Sequence, residues 1–533
     1  MRPATFQRPF PWTNPTWLRA FVPRLSGALA PRLSGALAPT LCAALTPVLC
    51  AALALLLAAS IATAQEPEDL TSAQRVDTLF APFDRTDGPG AAVTVILDGE
   101  VVHERGYGMA DLEHGLAITP STRFQVASVS KQFTAFAIRL LEAEGKLSLD
   151  DDIREHLPEM HDFGSTITVG HMVHHTSGLR EPSTLQRLAG WRSGDATTQE
   201  DLLAVAFRLR ELNFEPGSQY TYNNLGYTLL AEIVERVSGQ PFREFLDERV
   251  FGPLQMTSSL VNDNRNEVIP NRARSYARAG DGWEERTLNF EALGSTGIFT
   301  TVEDLVRWDQ NFYDAAVGGA QVIRAMQEPG RLNDGTELTY ASGLMLPEYR
   351  GVQAVHHTGS HAAYRIALFR VPEHRFTAII LSNDAALDRN EMPRRVADIY
   401  LEDVLDPVEP PVAEADEPDA PAAEAERAEE EATEDREPTL TADEMEAFVG
   451  HFYSPEAEAL VQVEVEEGEL VLHFRKGRST LQYRGDDTFS GVGSQVRFLR
   501  SDDGSVAGFL VSNARLTGLR FLPADLVVHD EGW

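Results

Sequence analysis

Two stretches of the chain carry apolar residues at the 3.6-residue spacing of an amphipathic helix. The first comprises Phe133, Phe136, Ala137, Ile138, Leu140 and Leu141, and the second comprises Leu229, Leu230, Ile233, Val234 and Val237. The first run predicts a helix that opens at Ser128 and carries Lys131 on the same face. The second run predicts a helix that begins near Asn223 or Asn224 and ends at Gly239.

A β-hairpin is predicted farther along the chain. Two apolar stretches, residues 366–371 and 376–381, are separated by the turn Pro372-Glu373-His374. The segment His357-Thr358-Gly359 comes shortly before the first stretch. We therefore expect this segment on or beside a strand.

The C-terminal residues alternate between apolar and polar positions. Val461, Val463 and Val465 precede a turn at Gly468, and Leu470, Leu472 and Phe474 follow it. Asp502-Asp503-Gly504 marks a second hairpin ahead of the apolar stretch 516–522. This pattern predicts a small antiparallel β-barrel at residues 439–533. We expect side chains, rather than a bound ligand, to fill its interior.

The first 64 residues have the composition of a secretory signal. They contain five arginines, no acidic residue and a nearly unbroken apolar run over residues 48–62, ahead of Ala62-Thr63-Ala64. We expect a signal peptide at 1–64, cleaved before Gln65, and an exported protein that is periplasmic or secreted. The alternative is an uncleaved membrane anchor, although the run is short for a bilayer span. Cys42 and Cys50 both fall in this leader, so the rest of the chain has no thiol chemistry.

Acidic residues dominate the remainder of the chain. Without the leader it has 41 basic and 81 acidic residues, which argues against nucleic acid as a partner. Residues 406–437 alone contain 14 acidic and two basic residues among proline and alanine. Such a segment repels itself and buries no apolar surface, so we predict a disordered linker at 406–438 between a domain at 65–405 and the barrel. No segment after the leader is apolar enough to span a membrane.

Three short motifs carry candidate chemistry. Ser128-Val129-Ser130-Lys131 places a hydroxyl and an amine one helical turn apart, in a chain with only three lysines. Tyr222-Asn223-Asn224 precedes the second predicted helix, and His357-Thr358-Gly359 precedes the predicted hairpin. Each motif alone also fits a structural role, namely a capping serine with a solvated lysine, a capping asparagine, or a packed strand histidine.

The serine requires a base. Near neutral pH a serine hydroxyl must lose its proton as it attacks a carbonyl carbon. Lys131 can accept that proton from Ser128 only if it is uncharged, which requires burial or nearby cationic or hydrogen-bonding groups. Tyr222 is a second candidate, either as the acceptor of the serine proton or as the donor to the leaving group. The sequence leaves both assignments open.

The order and spacing of the three motifs, roughly 90 and 130 residues apart, resemble those of the penicillin-recognising serine hydrolases. That family includes class C β-lactamases, D-Ala-D-Ala carboxypeptidases, D-aminopeptidases and β-lactamase-like esterases. Three more segments are similar to its opening strands, its helical-domain entry, and its glycine turn before a capped helix. These segments are residues 90–111, 167–179 and 294–305. The resemblance covers residues 72 to 402.

The resemblance implies an α+β fold, an α/β sandwich of the β-lactamase/transpeptidase type. Its antiparallel sheet takes its first strands from 91–108 and its last from 355–382, and helices from both chain ends flank it, the closing one around 392–404. A mainly helical subdomain, roughly 140–290, forms the other wall of the cleft, with Ser128 at the junction. The C-terminal barrel resembles lipocalin-like appendages that shape access to the site or mediate assembly. A homo-oligomer formed through the barrel is therefore expected.

The resemblance also implies roles for individual residues. The catalytic set is Ser128, Lys131, Tyr222, Asn224 and His357, and the substrate and oxyanion set is Thr358, Gly359 and Ser360. Asn224 donates its amide to a substrate carbonyl and helps to hold the lysine, while His357 orients the proton network. The backbone N–H groups of Ser128 and Ser360 bind the oxyanion. Thr358 offers its hydroxyl to a substrate carboxylate, and no cofactor is implied.

One position favours particular members of the family. Class C β-lactamases usually carry lysine where this chain has His357, and loss of that cation weakens attraction for the carboxylate of β-lactams and peptide C-termini. We therefore predict an exported acyl-enzyme hydrolase that acts on a D-amino-acid peptide or a small ester. A β-lactamase and a non-hydrolysing penicillin-binding sensor or scaffold are the alternatives. No residue matches the class A glutamate that activates the deacylating water.

Three neighbouring histidines suggest a different kind of site. His171, His174 and His175 have the i, i+3, i+4 spacing of zinc ligands on a helix. The resemblance instead makes this segment a structural approach to Thr176-Ser177-Gly178. We therefore predict no metal site here.

Overall fold

A computed structural model describes residues 70–192, 194–407 and 439–527. The predicted leader, residues 1–64, and all but the first two residues of the predicted linker lie outside the described residues. The described residues from Leu70 onward belong to one compact unit. The contacts between the catalytic part and the C-terminal barrel are therefore part of the same body.

Strands and helices alternate along the catalytic part, and strands alone build most of the C-terminal part. The strands are β1 (Ala91–Leu97), β2 (Glu100–Tyr107), β3 (Met109–Asp111), β4 (Leu116–Ala117), β5 (Phe124–Gln125), β6 (Leu260–Val261), β7 (Tyr276–Ala279), β8 (Gly282–Glu285), β9 (Ile298–Thr300), β10 (Glu348–Tyr349), β11 (Val352–Gln353), β12 (Val355–His361), β13 (Tyr364–Val371), β14 (Phe376–Ser382), β15 (Gly450–Ser454), β16 (Ala459–Glu466), β17 (Glu469–Phe474), β18 (Gly477–Gly485), β19 (Thr488–Gly491), β20 (Ser494–Arg500), β21 (Val506–Asn513) and β22 (Leu516–Pro523). The helices are α1 (Ser72–Phe80), α2 (Ser130–Ala143), α3 (Ile153–His156), α4 (Val169–Val173), α5 (Pro182–Leu188), α6 (Gln199–Arg208), α7 (Asn224–Ser238), α8 (Phe242–Leu246), α9 (Val302–Asp314), α10 (Gly319–Met326), α11 (Glu391–Tyr400), α12 (Ala442–Glu446) and α13 (Ala524–Val527).

The central sheet is antiparallel, with strand order β12-β13-β14-β1-β2. Successive residues of β1 face opposite sides, as strand geometry requires. Val93 and Val95 pack beneath the terminal helices α1 and α11, whereas Ala92 and Ile96 belong to the larger core that contains α2 and α9. The α+β fold and the flanking helices from both ends are therefore confirmed. The predicted hairpin is also present, as β13 and β14 joined through a short 3₁₀ turn at Pro372–His374.

The helical subdomain lies between β5 and β9 in the chain, and its helices α3 to α8 cover residues 153–246. Helix α7 packs against α2, the helix that follows Ser128. Asn223 caps α7 by accepting a hydrogen bond from the N–H of Gly226 at 2.7 Å, and the helix ends at Gly239, which is left-handed. Both ends of this helix were predicted from the sequence. The capping fixes Tyr222 and Asn224 on either side of Asn223.

The C-terminal strands β15 to β22 form a closed eight-stranded barrel, in which β15 pairs with β22. Because apolar residues occupy every second position of the strands, their side chains fill the interior. Buried phenylalanines stack along it, namely Phe448, Phe452, Phe489, Phe498, Phe509 and Phe521. The predicted barrel and its filled interior are thus both observed.

A buried ion pair joins the barrel to the catalytic part. Glu456, in the turn between β15 and β16, bonds the guanidinium of Arg180. Its second carboxylate oxygen accepts hydrogen bonds from the backbone N–H groups of Arg210 at 2.9 Å and Glu211 at 3.1 Å. Both charged side chains are almost fully buried. An anion is therefore neutralised here at the boundary between the two structural parts.

Candidate active site

Ser128 lies in a 3₁₀ turn, Ala127–Val129, and the α-helix begins at Ser130. The prediction that Ser128 opens the helix is therefore wrong by two residues. The reason is local: Ala127 adopts a left-handed conformation, with φ of 48°, as the chain turns sharply after β5. Ser128 is half-exposed between buried neighbours, so its hydroxyl faces the cleft instead of capping the helix.

Lys131 lies beneath that hydroxyl and has no exposed surface. Its Nζ is 3.3 Å from Ser128 Oγ, and it donates to Asn224 Oδ1 at 2.8 Å and to the Ser295 carbonyl at 2.9 Å. Burial lowers the pKa of Lys131 to about 7, although the Glu181 carboxylate opposes this shift and Arg515 adds to it. A substantial fraction of this lysine is uncharged near neutral pH, as a proton acceptor must be.

Glu181 is a site residue that the sequence analysis missed. Its carboxylate accepts hydrogen bonds from the Asn224 backbone N–H at 2.8 Å and from Asn224 Nδ2 at 3.2 Å. Because Nδ2 bonds Glu181, the amide oxygen of Asn224 is turned toward Lys131. The structure thus places Asn224 against the lysine, as expected, and directs one of its amide N–H bonds to Glu181 rather than to the cleft.

The hydroxyl of Tyr222 is buried and lies near the Ser128 hydroxyl, without a hydrogen bond of good geometry to any described residue. Burial raises the pKa of Tyr222 well above 10, and the nearby Ser128 hydroxyl opposes that shift. The phenol therefore stays protonated near neutral pH. Lys131 Nζ is 4.8 Å from the centre of the Tyr222 ring. The pKa values of the two candidate bases are thus shifted in opposite directions. Lys131 loses its proton more easily than a free lysine, and Tyr222 keeps its proton more firmly than a free tyrosine.

His357 projects from the edge strand β12 and is buried. Its Nδ1 is 2.7 Å from the Thr358 carbonyl, which can only accept, so Nδ1 carries the hydrogen and Nε2 accepts from the Tyr340 hydroxyl at 3.2 Å. Burial lowers the pKa of His357 to about 3, so the ring is neutral. Tyr340 was not predicted. Its ring contacts the rings of both His357 and Tyr222, and with His175 these side chains form the aromatic group around Tyr222.

The β12 strand passes close to the turn that carries Ser128. A Cβ atom on Gly359 would lie 2.5 Å from the Val126 carbonyl oxygen, so only glycine permits this approach. The N–H and C=O of His356 bond Met345 on the side away from β13. Since strand groups alternate with period two, the N–H of Ser360 points to that same side. The Ser360 N–H, which has no backbone partner among the described residues outside the sheet, thus faces the Ser128 side of the strand.

The three histidines considered as zinc ligands have separate structural partners. His171 Nδ1 accepts a hydrogen bond from the Thr168 backbone N–H at 3.1 Å and closes a capping box. The partly buried ring of His174 packs against Gly330. His175 Nδ1 accepts from the Asn223 N–H at 3.1 Å, and its ring lies 4.3 Å from that of Tyr222. His175 therefore supports the tyrosine from behind.

One cation at the site comes from the barrel. Arg515 occupies the tight turn between β21 and β22, and its guanidinium carbon is 5.3 Å from the centre of the Tyr222 ring. The Arg515 carbonyl accepts hydrogen bonds from the Glu181 N–H at 3.4 Å and from Asn213 Nδ2 at 3.0 Å. No motif in the sequence points to this residue. Its proximity depends on how the barrel packs against the catalytic part.

Residues 76–401 match the family described as Beta-lactamase. The chain belongs to the beta-lactamase family. Together with Ser128 beside a buried lysine, this membership makes the protein a serine hydrolase. Among the described helices, none combines the length and the apolarity needed to cross a bilayer.

Curated relatives of this beta-lactamase family member include two D-aminopeptidases. The one from Brucella anthropi is 31% identical over 302 residues, which cover 56% of this chain and 56% of that protein. The one from Gluconobacter oxydans (strain 621H) is 26% identical over 299 residues, again 56% of each chain. The chain thus spans about half the length of the curated relatives that it matches.

Solved structures of low identity share the fold. The octameric penicillin-binding protein homologue from Pyrococcus abyssi gives a TM-score of 0.55 at 21% identity, over 84% of this chain and 99% of that one. The D-amino acid amidase from Ochrobactrum anthropi SV3 gives a TM-score of 0.53 at 23% identity, over 62% of this chain and 98% of that one. The Pyrococcus alignment covers a larger share of this chain than the beta-lactamase match does.

Proposed function

We propose that this chain hydrolyses an amide or ester bond of a D-amino-acid peptide, of the carboxypeptidase or aminopeptidase type, or of a small ester. The observation that carries the proposal is the Ser128 hydroxyl, 3.3 Å from the Nζ of a fully buried lysine whose pKa is lowered to about 7. The curated relatives add support for D-amino-acid substrates.

Acylation begins with uncharged Lys131, which takes the Ser128 proton as Oγ bonds to the substrate carbonyl carbon. The negative charge on the carbonyl oxygen is stabilised by the backbone N–H groups of Ser128 and Ser360. Tyr222 then gives its phenolic proton to the leaving nitrogen or oxygen as the acyl bond breaks. The proton on Lys131 restores the phenol, which leaves an acyl ester on Ser128 and an uncharged lysine.

Deacylation repeats these steps with water in place of the leaving group. The proton from water passes to the Lys131–Tyr222 pair, and Ser128 leaves with a proton. Asn224 holds Lys131 throughout. His357 is neutral and keeps Tyr340 against the aromatic group that surrounds Tyr222.

The test uses purified protein that begins at Gln65. We expect a burst and then steady release from a chromogenic ester or a D-alanyl peptide, and little hydrolysis of a chromogenic cephalosporin. Ser128→Ala should abolish turnover and labelling by a fluorophosphonate. The control is Ser130→Ala, because Ser130 Oγ only accepts a hydrogen bond from the Ile298 N–H at 3.3 Å.

Three results would contradict the proposal in different ways. Turnover of the cephalosporin alone would indicate a β-lactamase. A single burst on every substrate, with no turnover, would indicate a penicillin-binding sensor. Full activity of Ser128→Ala would remove the serine mechanism altogether.

We further propose that the protein is exported to the periplasm or beyond, with the leader 1–64 removed, followed by the hydrolase domain 65–405, the linker 406–438 and the barrel 439–533. The support is the composition of the leader and of the acidic linker. N-terminal sequencing of protein purified from a secreting host should begin at Gln65. An intact Met1 would contradict cleavage.

We also propose that the barrel mediates self-association. The support is the octameric assembly named for the Pyrococcus abyssi homologue, together with the exposed apolar side chain of Leu460 on β16. Light scattering on the mature protein should give the mass of an oligomer. A monomer at all accessible concentrations would rule this out.

A further inference from the structure

The active-site cleft receives an arginine from the barrel, and the backbone around this arginine is firmly held. The Arg515 carbonyl accepts from Glu181 N–H at 3.4 Å and from Asn213 Nδ2 at 3.0 Å. Asn213 Oδ1 in turn accepts from the Thr517 N–H at 2.7 Å, and the Thr517 carbonyl accepts from Arg180 at 2.8 Å. The hairpin tip is therefore fixed on the residues that support Asn224.

The Arg515 guanidinium, in contrast, has free donors. Among the described residues, no carboxylate lies within 4.0 Å of it, and its side chain makes no hydrogen bond. Arg180 at the same interface binds Glu456 and Glu211. Arg515 contacts instead the ring of Tyr222, with its guanidinium carbon 5.3 Å from the ring centre. The unused guanidinium donors thus lie beside the Tyr222 ring, near enough to Lys131 for the charge of Arg515 to help lower the pKa of that lysine.

A carboxylate is the group that best fits these donors. A guanidinium offers parallel N–H bonds that match the two oxygens of a carboxylate. The edge strand supplies no cation of its own, because His357 is neutral and both of its nitrogens are hydrogen-bonded. An ammonium group would be repelled by Arg515. The charge at this end of the cleft therefore suits an acidic substrate group.

We propose that Arg515 binds a carboxylate of the substrate, so that the barrel completes the active site and selects peptides with a free carboxylate beside the scissile bond. This inference rests on the proposed function and narrows it to the carboxypeptidase type. An aminopeptidase would instead have to recognise the free amine of its substrate, which Arg515 would repel.

The experiment compares two compounds that differ only in the carboxylate, N-acetyl-D-alanyl-D-alanine and its C-terminal amide. With Arg515→Gln we expect kcat/KM for the acid to fall about 10- to 100-fold, the size expected for a charged hydrogen-bonded pair, and that for the amide to change much less. The kcat/KM of Arg515→Lys for the acid should lie between the values of the wild type and Arg515→Gln. Assays are run well above the pKa of Lys131, so that a change in its protonation does not contribute.

Arg520→Gln is the matched control. Arg520 lies on the same hairpin, is exposed, and approaches Glu211 only at 3.9 Å. The Arg520→Gln change removes one positive charge from the barrel but leaves Arg515 in the cleft. An equal loss of activity on acid and amide in Arg515→Gln, or the same acid-specific loss in Arg520→Gln, would overturn the proposal.

A second readout does not require turnover. The acid should slow fluorophosphonate labelling of Ser128 in the wild type more than the amide does, and this difference should disappear in Arg515→Gln. If the wild type hydrolyses neither these compounds nor the chromogenic ester but shows this pattern, the proposed function fails and the carboxylate site stands. If hydrolysis occurs and the difference is absent, the carboxylate site fails and the hydrolase proposal stands.

Discussion

The catalytic centre and the barrel interior are both well buried, but they bury opposite kinds of side chains. Lys131, His175 and His357 are at most 3% exposed, and all three are titratable. In the barrel, Phe498 and Phe509 are at most 3% exposed and belong to an apolar interior that also contains buried valines and leucines. The barrel presents several charged side chains to the catalytic part, among them Glu456, Arg515 and Lys476. Burial thus shifts the pKa values of catalytic side chains in one part. In the other part it stabilises the barrel that holds Glu456 and Arg515 against the catalytic part.

The strongest test of this contrast is removal of the buried amine. Lys131→Ala should lower kcat/KM for an ester by about 10²- to 10⁴-fold, because the serine loses its general base. Lys146→Ala is the control, because this lysine is exposed and Glu144 is its one ion-pair partner in the described part of the chain. Stopped-flow measurements of the Ser128 acylation rate compare the two variants with the wild type. If the two variants retained similar rates, burial of Lys131 would have no catalytic meaning.

The barrel side of the contrast is tested by Glu456→Ala. This change leaves the buried Arg180 with the half-exposed Glu211 as its remaining carboxylate partner, and it removes the acceptor of two backbone N–H groups. We expect a loss of about 3 to 5 kcal/mol in the free energy of unfolding, measured by urea denaturation. Glu458→Gln serves as control, since its carboxylate is exposed and 3.5 Å from Arg208, and should cost less than about 1 kcal/mol. Equal losses would mean that the buried pair does not anchor the barrel.

A smaller effect is expected where the sheet meets the nucleophile. Gly359→Ala places a Cβ against the Val126 carbonyl, which should destabilise the fold by about 1 to 3 kcal/mol and slow the acylation of Ser128. Gly282→Ala in β8 has no atom closer than 3.8 Å to the new Cβ and should be neutral within about 0.5 kcal/mol. Thermal unfolding and the labelling rate together distinguish the two. Unchanged labelling in Gly359→Ala would show that the strand can move aside.

The smallest effect is on pH dependence. Activity requires uncharged Lys131, so kcat/KM should rise with pH and level off above about 7. Glu181 raises the pKa of this lysine, so Glu181→Gln should move the rise to lower pH, even if the plateau falls through loss of the Asn224 contacts. Glu211→Gln, which removes a half-exposed carboxylate from the same interface, should leave the midpoint in place. A shift to higher pH in Glu181→Gln would contradict the electrostatic role.

The parts of the fold and of the site that could be predicted from the sequence depend on residues that are close together in the chain. Ser128 and Lys131 are three residues apart, and the capping of α7 by Asn223 depends on neighbours in the chain. The alternation of the barrel strands likewise reports burial directly. The start of α2 was misplaced because a left-handed Ala127 has no signature in the sequence.

The unpredicted site residues act through distant contacts. Glu181 reaches Asn224 across 43 positions, and Tyr340 reaches His357 across 17. A glutamate before Pro182 is typical of a helix start, so it gives no sign of a catalytic neighbour. Arg515 is farther still, in another structural part. Such residues become visible only when the packing of α5, β12 and the barrel is known.

The position of Arg515 at a hairpin tip has a practical consequence for protein engineering. A two-residue turn tolerates exchange far better than a core strand does, and here that turn faces the reacting centre. Libraries confined to positions 514 and 515 would therefore sample new selectivities while leaving the nucleophile, its amine and the hydrophobic cores untouched. In this chain the barrel thus places an exchangeable residue beside the active site.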